Sequence, residues 1–253
     1  FSFGSKLLFS RLIHTLYYNL YAIVIGRRYS SAELGYYTRA EQLAIFPSSN
    51  INAIISRVTF PILSSIQDDD KRLALVYRKY IRLASFLIFP LMIGLAAVAE
   101  PLVSFLLTDK WLGTVLLLQI LCLDWMLDHL SQINLNLLLI KGRSDLSLRL
   151  EIVKKIIATL ILIISIPYGI EIMCWGRVLY SVLATYMNSY YTNRLIGLSL
   201  KTQLRDIFPS LLLAAGMGIT VYYSISLFSS DLLKIIGGVV IGVVFYVMAS
   251  VIL

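Results

Sequence analysis

The sequence has too few charged residues to cover a soluble domain of its size. Only 14% of its 253 residues are charged, whereas 58% are hydrophobic and the mean hydropathy is +0.82. Soluble domains carry about 25% charged residues because their surfaces face water. This deficit predicts an all-α integral membrane protein, with lipid as its outer solvent.

The motifs of several enzyme and metal-binding classes are also absent from the sequence. Cys122 and Cys174 lie in apolar runs without CxxC spacing, which predicts small buried side chains instead of a disulfide or a metal site. There is no GxxxxGK loop followed by Ser or Thr, no HExxH pair, and no Ser/His/Asp grouping on a water-facing loop. We therefore expect no enzyme activity, no catalytic residue, no cofactor and no metal.

Long apolar runs divide the chain into a bundle of about eight predicted transmembrane helices. A helix needs about 20 mostly apolar residues to cross roughly 30 Å of hydrocarbon. The runs that meet this requirement cover residues 4–25, 42–64, 80–107, 112–140, 147–167, 170–192, 208–228 and 234–253. In the last run, Gly238 and Gly242 form a GxxxG pattern that predicts close helix packing.

We predict two units: a six-helix lobe over residues 1–195, then an amphipathic link and two peripheral helices over 196–253. The link covers residues 193–206 and is longer than the other connections. The chain starts at Phe1 without an initiator Met and stops within an apolar run, so we expect a fragment of a longer protein.

The net charge of +8 is explained by topology. With alternating spans, fifteen Lys and Arg lie on one side and five on the other, and Arg57 and Arg177 inside spans complete the 22. The richer side should be cytoplasmic, because Lys and Arg concentrate in cytoplasmic loops. Nucleic acid is not an expected partner, since binding it requires a basic patch on a water-facing domain.

The second predicted span is too polar to face lipid on all sides. Its polar residues follow the helical period, with Gln42, Ser49, Asn52 and Ser56 in one stripe and Asn50 and Arg57 beside it. Pro47 removes a backbone donor and should kink the helix. The stripe is either a polar helix–helix interface or the wall of a water-filled cavity.

Ionisable residues inside spans are candidates for function because burying them in lipid is unfavourable. Arg57 either faces a cavity or a partner, or extends to the membrane surface. In the first span, Arg11, His14 and Tyr18 share one helix face. Asp124 and Asp128 lie four residues apart on one face; they could bind a coupling cation, or pair with Arg57 or Arg177.

A series of motifs runs in order along residues 30 to 155. Its members are 33–40, 57–61, 67–69, 89–95, 109–111, 133–138, 141–146 and 150–155. The series resembles the C-terminal half of the multidrug/oligosaccharidyl-lipid/polysaccharide (MOP) flippases, most closely the Wzx-type exporters of O-antigen and teichuronic acid repeat units.

The resemblance implies the C-terminal lobe of a MATE/MOP-like two-lobe transporter plus two trailing helices, in the bacterial cytoplasmic (inner) membrane. The implied cargo is undecaprenyl-diphosphate-linked oligosaccharide, moved by alternating access during cell-surface polysaccharide or lipopolysaccharide biosynthesis. Arginine suits this cargo because its guanidinium can grip a diphosphate. The cavity candidates are Arg57, Asn50, Asn52, Gln42, Arg11, His14, Tyr18, Arg177 and Asn134, and the ion-coupling candidates are Asp124 and Asp128.

Three other functions remain open at this point. The chain could belong to a cation-coupled drug or metabolite antiporter of the same superfamily, with Asp124 and Asp128 as its coupling site. It could also belong to a membrane polymerase or ligase, although its predicted external loops are short, or to a scaffold for polysaccharide assembly. Expected partners are lipid-linked oligosaccharide, membrane lipid, an N-terminal lobe of the same polypeptide, and polysaccharide polymerase or export proteins.

Overall fold

The computed structural model describes residues 8, 12 and 19–252, which form helices and short connections without any strand. We number the helices from α1, which covers residues 19–28 of the described chain. The others are α2 (Ser31–Ser65), α3 (Asp70–Ala97), α4 (Ala99–Leu107), α5 (Thr114–Ile140), α6 (Ser144–Ser165), α7 (Ile170–Ile196), α8 (Leu200–Ser224) and α9 (Asp231–Ile252). The predicted all-α fold is confirmed.

Two helices begin well before the predicted apolar spans. Ser30 and Glu33 form a reciprocal capping box, so α2 starts at Ser31 and not near residue 42. The Asp69 side chain accepts a hydrogen bond from Arg72 N, so α3 starts at Asp70 and not near residue 80. Hydropathy marks where a helix enters lipid, whereas these caps mark where the helix begins.

Other boundaries also depart from the predicted spans. The span predicted over 80–107 is divided at Val98 into α3 and α4. The predicted link over 193–206 is helical except at residues 197–199, where Gly197 ends α7 with a left-handed φ of 70°. The division of the chain into a lobe and two trailing helices stays a prediction.

Four helical segments of the described chain are long and apolar enough to cross a membrane. They are Asp70–Ala97, Thr114–Ile140, Leu200–Leu227 and Asp231–Val251. The helices α2, α6 and α7 are comparably long, but more of their residues are charged or polar. The chain is a multi-pass membrane protein whose polar sites draw on both sets of helices.

Helix α5 occupies the centre of the bundle and packs against α2, α3 and α7. Helix α8 runs along α3, and α9 lies outside α8 and α4. The close packing predicted for the GxxxG pattern is confirmed, because a Cβ added at Gly238 or Gly242 would lie within 3.3 Å of Val221 side-chain atoms. Cys122 and Cys174 are buried and unbridged, as predicted.

Candidate functional site

Arg177 of α7 is the centre of a buried cluster of charged side chains. Its guanidinium lies 2.6 Å from Glu41 Oε2 on α2 and 2.6 Å from Asp124 Oδ2 on α5. It also donates a hydrogen bond of 2.7 Å to the Tyr37 hydroxyl. Glu41 and Asp124 are only 7% and 4% exposed. A single arginine therefore ties α2 and α5 to α7 through two carboxylates that would otherwise be buried without a counter-charge.

Aromatic rings enclose the same guanidinium. The Cζ atom of Arg177 lies 5.5 Å from the ring centroid of Tyr21 on α1 and 6.0 Å from that of Trp125 on α5. Both distances fall within the range of cation–π attraction. With its ion pairs and its aromatic neighbours, Arg177 contacts α1, α2 and α5 and holds them in one arrangement.

Asp124 is fully engaged within this cluster. One of its oxygens pairs with Arg177, and the other accepts a hydrogen bond from the Ser181 hydroxyl of α7. The sequence analysis considered Arg57 and Arg177 as possible partners of Asp124. In the structure the partner is Arg177.

A cavity of about 70 Å³ lies beside the cluster, between α1, α5, α6 and α7. Asp128 lines it, and its Oδ2 is 3.5 Å from Gln132 Nε2. On α6, Glu151 and Lys154 form an ion pair, while Lys155 Nζ donates a hydrogen bond of 3.3 Å to a tyrosine hydroxyl of α7. This space is sufficient for several water molecules or a small hydrated ion.

Among the described residues, the buried cluster and the cavity together contain more carboxylates than cations. The four carboxylates are Glu41, Asp124, Asp128 and Glu151, and the three cations are Arg177, Lys154 and Lys155. With every group ionised, one negative charge is left over. Burial makes such an excess unfavourable, and a bound cation or a proton would balance it.

A second polar surface lies on the outward face of α2. Gln42, Asn50 and Arg57 are exposed, and Asn52 is half-buried. Arg57 forms no ion pair with any carboxylate in the described part of the chain. Gln42 Oε1 accepts a hydrogen bond of 2.9 Å from Arg39, whereas the guanidinium of Arg57 is available to a molecule outside the described helices.

The backbone of α2 remains helical along this whole face. It continues through Pro47 and Pro61, and the kink predicted at Pro47 stays a prediction. The Asn50 side chain donates a hydrogen bond of 2.7 Å to Phe46 O, one residue before Pro47.

Asn134 lies in a third polar group, deep between α5, α7 and α8. Its side chain donates to Gln203 Oε1 at 2.9 Å and accepts from the Thr192 hydroxyl at 2.6 Å. One turn away, Asn188 donates to Ser131 Oγ at 2.8 Å. All these side chains are buried, so this uncharged group joins helices to each other.

Comparisons with known proteins agree with this architecture. A family described as polysaccharide biosynthesis proteins matches residues 1–116. The teichuronic acid biosynthesis protein TuaB of Bacillus subtilis is 30% identical over 223 residues, covering 88% of this chain and 46% of that protein. The lipopolysaccharide biosynthesis protein WzxC of Escherichia coli is 31% identical over 152 residues, covering 60% of this chain and 31% of that protein.

Among solved structures, the lipid II flippase MurJ in its inward closed conformation has a similar fold. The TM-score is 0.78 at 16% identity, over 98% of this chain and 52% of that one. The resemblance to Wzx-type exporters of the MOP superfamily is confirmed. The chain spans about half the length of TuaB and of the MurJ structure, and about a third of the length of WzxC.

The predicted site residues of this chain fall into separate places. Gln42, Asn50, Asn52 and Arg57 lie together along α2 on its exposed or half-buried side. Arg177, Asp124 and Asp128 line the internal cavity, and Asn134 belongs to the buried uncharged group. Arg11, His14 and Tyr18 lie outside the described residues.

Four charged residues of the buried cluster and the cavity, namely Glu41, Glu151, Lys154 and Lys155, were not predicted as site residues. Glu41 stands beside Gln42 in sequence but faces the interior. Lys154 and Lys155 were counted among the cytoplasmic charges, yet they are only 4% and 9% exposed. Their spacing from Glu151, three and four residues along an apolar helix, is the signal that could have identified an internal ion-pair group.

Proposed function

We propose that this chain is the C-terminal lobe of a flippase for undecaprenyl-diphosphate-linked oligosaccharide in the bacterial cytoplasmic membrane. The observation that carries the proposal is the polar side of α2, where Arg57 is exposed and forms no ion pair with the described residues. The similarity to TuaB and WzxC, named for teichuronic acid and lipopolysaccharide biosynthesis, supports this class of cargo.

The exposed side of α2 carries polar side chains among apolar ones such as Phe46 and Ile54, and its polar side chains require polar surroundings. An arginine at the centre of a membrane helix is unfavourable by about 2.5–3.5 kcal/mol, so charged groups there face a partner or water. In contrast, α9 presents Val240, Val243 and Val247, each more than half exposed, as expected of a surface in contact with lipid. We infer that the α2 face meets a cavity shared with an N-terminal lobe.

The residues of this face match the chemistry of the proposed cargo. The guanidinium of Arg57 offers paired donors that suit a diphosphate. Gln42, Asn50 and Asn52 offer amide donors and acceptors, which suit sugar hydroxyls. A cavity that opens alternately to the two membrane faces would carry the bound headgroup across the membrane.

Replacing Arg57 in the full-length protein tests the proposal. Arg57→Ala should abolish polysaccharide export in a flippase-deficient strain while its membrane level stays normal, and Arg57→Lys should restore export only in part. Arg149→Ala is the matched control, because Arg149 is an exposed arginine of α6 outside these sites. Normal export with Arg57→Ala, or loss of the protein together with export, would refute the cavity role.

A coupling role for the buried carboxylates is the second part of the proposal. Asp124 already has two partners, whereas Asp128 lines the cavity that has room for a small cation. We infer that Asp128 takes up the balancing cation or proton. In vesicles, Asp128→Asn should remove the response of lipid-linked sugar flipping to an imposed cation or proton gradient. An unchanged response would mean that a different site couples flipping to the gradient.

The proposed cytoplasmic side is tested by labelling. Ser31 and Asp68 are exposed residues at opposite ends of α2. The native cysteines are buried, which keeps background reaction low. In intact cells, Ser31→Cys should react with an impermeant thiol reagent and Asp68→Cys should not. The reverse pattern would invert the topology.

A further inference from the structure

Two arginines of α3 contact one carboxylate at the first turns of α8, and a third arginine precedes that carboxylate in sequence. Arg78 Nε lies 2.6 Å from Asp206 Oδ2, its second nitrogen 2.8 Å from Oδ1, and Arg82 Nε 3.7 Å from Oδ1. Arg205, next to Asp206 in sequence, is exposed. We call Arg78, Arg82 and Arg205 the arginine cluster.

The carboxylate lies beneath the arginine cluster and does not neutralise it. The Asp206 side chain is 7% exposed, whereas the side chains of Arg78 and Arg82 are 34% and 52% exposed. One negative charge thus faces three positive ones, and the guanidinium groups remain accessible from outside. The bidentate pair with Arg78 fixes the position of the cluster against α8.

The arginine cluster lies at the level of a membrane surface. From residue 206 to residue 227, the end of the apolar segment of α8, 21 steps of about 1.5 Å give roughly 31 Å, the thickness of the hydrocarbon layer. Leu83, Leu204 and Phe208 are about half exposed beside the cluster. A lipid in contact with these apolar side chains would bring its headgroup next to the arginines.

We propose that the arginine cluster binds the headgroup of an anionic phospholipid of the cytoplasmic leaflet. Basic pockets between transmembrane helices on the cytoplasmic side recognise anionic headgroups, and the guanidinium fork matches phosphate oxygens. The site is separate from the α2 face and does not depend on the identity of the cargo. The cytoplasmic level follows from the distribution of Lys and Arg.

Lipid selectivity of the purified full-length protein tests this site. Native mass spectrometry after incubation with equimolar phosphatidylglycerol and phosphatidylcholine should show a preference for phosphatidylglycerol. The double variant R82Q/R205Q, which leaves the Arg78–Asp206 pair in place, should lower that preference on the order of tenfold. R82K/R205K keeps both charges and should retain most of it.

The matched control is R149Q/R194Q, which removes two exposed arginines on the same predicted side but outside the cluster. It should leave the preference unchanged. The proposal is overturned if the unmodified protein does not prefer phosphatidylglycerol, or if the control lowers the preference as much as R82Q/R205Q. Displacement of phosphatidylglycerol from the cluster by undecaprenyl diphosphate would also overturn it, because the cluster would then be a cargo site.

Discussion

Glu41 and Gln42 are adjacent on α2, yet they belong to regions with opposite arrangements of polar groups. Glu41 is buried and paired with Arg177, whereas Gln42 is exposed on the face that carries Arg57. In the buried cluster, each arginine or carboxylate contact joins two helices. On the outward face, Arg57 meets no carboxylate of the described chain. The contrast is the one expected if the first region holds the bundle together and if the second contacts the cargo, as we propose.

Arg177→Met should have the largest effect, because it leaves Glu41 and Asp124 buried without a counter-charge. Breaking a buried ion pair from one side is unfavourable by about 3–5 kcal/mol. We expect the full-length protein to lose its thermal unfolding transition or to fall sharply in membrane level. This variant tests whether the buried cluster stabilises the fold.

The triple variant R177M/E41Q/D124N provides the control, since it removes the arginine and both carboxylate charges together. Much of the lost stability should return. If Arg177→Met unfolds at the same temperature as the unmodified protein, the proposed difference between the two regions is wrong.

Asn134→Leu should destabilise the protein to an intermediate extent. It leaves Gln203 and Thr192 buried without the side chain that both of them contact, which should lower the free energy of unfolding by about 1–3 kcal/mol. Asn136→Leu is the matched control, because Asn136 is half-buried two residues further along α5. A larger fall in unfolding temperature for Asn134→Leu than for Asn136→Leu would sharpen the comparison. It would show how much buried hydrogen bonds stabilise the fold where no buried charge is involved. Equal shifts would contradict it.

The sequence predicted the helical bundle well because lipid imposes a simple rule on composition and length. Apolar runs located the centres of α3, α5, α8 and α9. The prediction from the sequence was wrong at the starts of α2 and α3, where local caps extend each helix beyond the membrane-spanning segment. Hydropathy cannot show such extensions, because a capped helical turn in water is as polar as a loop.

The polar sites were predicted only in part, for a different reason. The α2 stripe was visible because helical periodicity places its members on one face. The pair between Arg177 and Glu41 was not, because it joins residues 136 positions apart in sequence, and the pair between Arg177 and Asp124 was only one of the alternatives considered. Periodicity specifies which residues share a face, and tertiary packing decides what that face meets.

Arg57→Leu should have the smallest effect on stability and a complete effect on export. The exposed side chain has no partner in the described chain, so its removal should change the free energy of unfolding by about 0.5 kcal/mol or less. Leucine also enters a membrane helix more favourably than arginine, by roughly 3 kcal/mol. The unfolding temperature and the membrane level should therefore stay at or above those of the unmodified protein, while export of lipid-linked sugar is lost.

If Arg57→Leu destabilises the protein as strongly as Arg177→Met, Arg57 has a structural partner and the outward face of α2 is an interface for packing. If stability and export are both retained, the charge at this position is not needed for the cargo, and the proposed diphosphate contact is excluded.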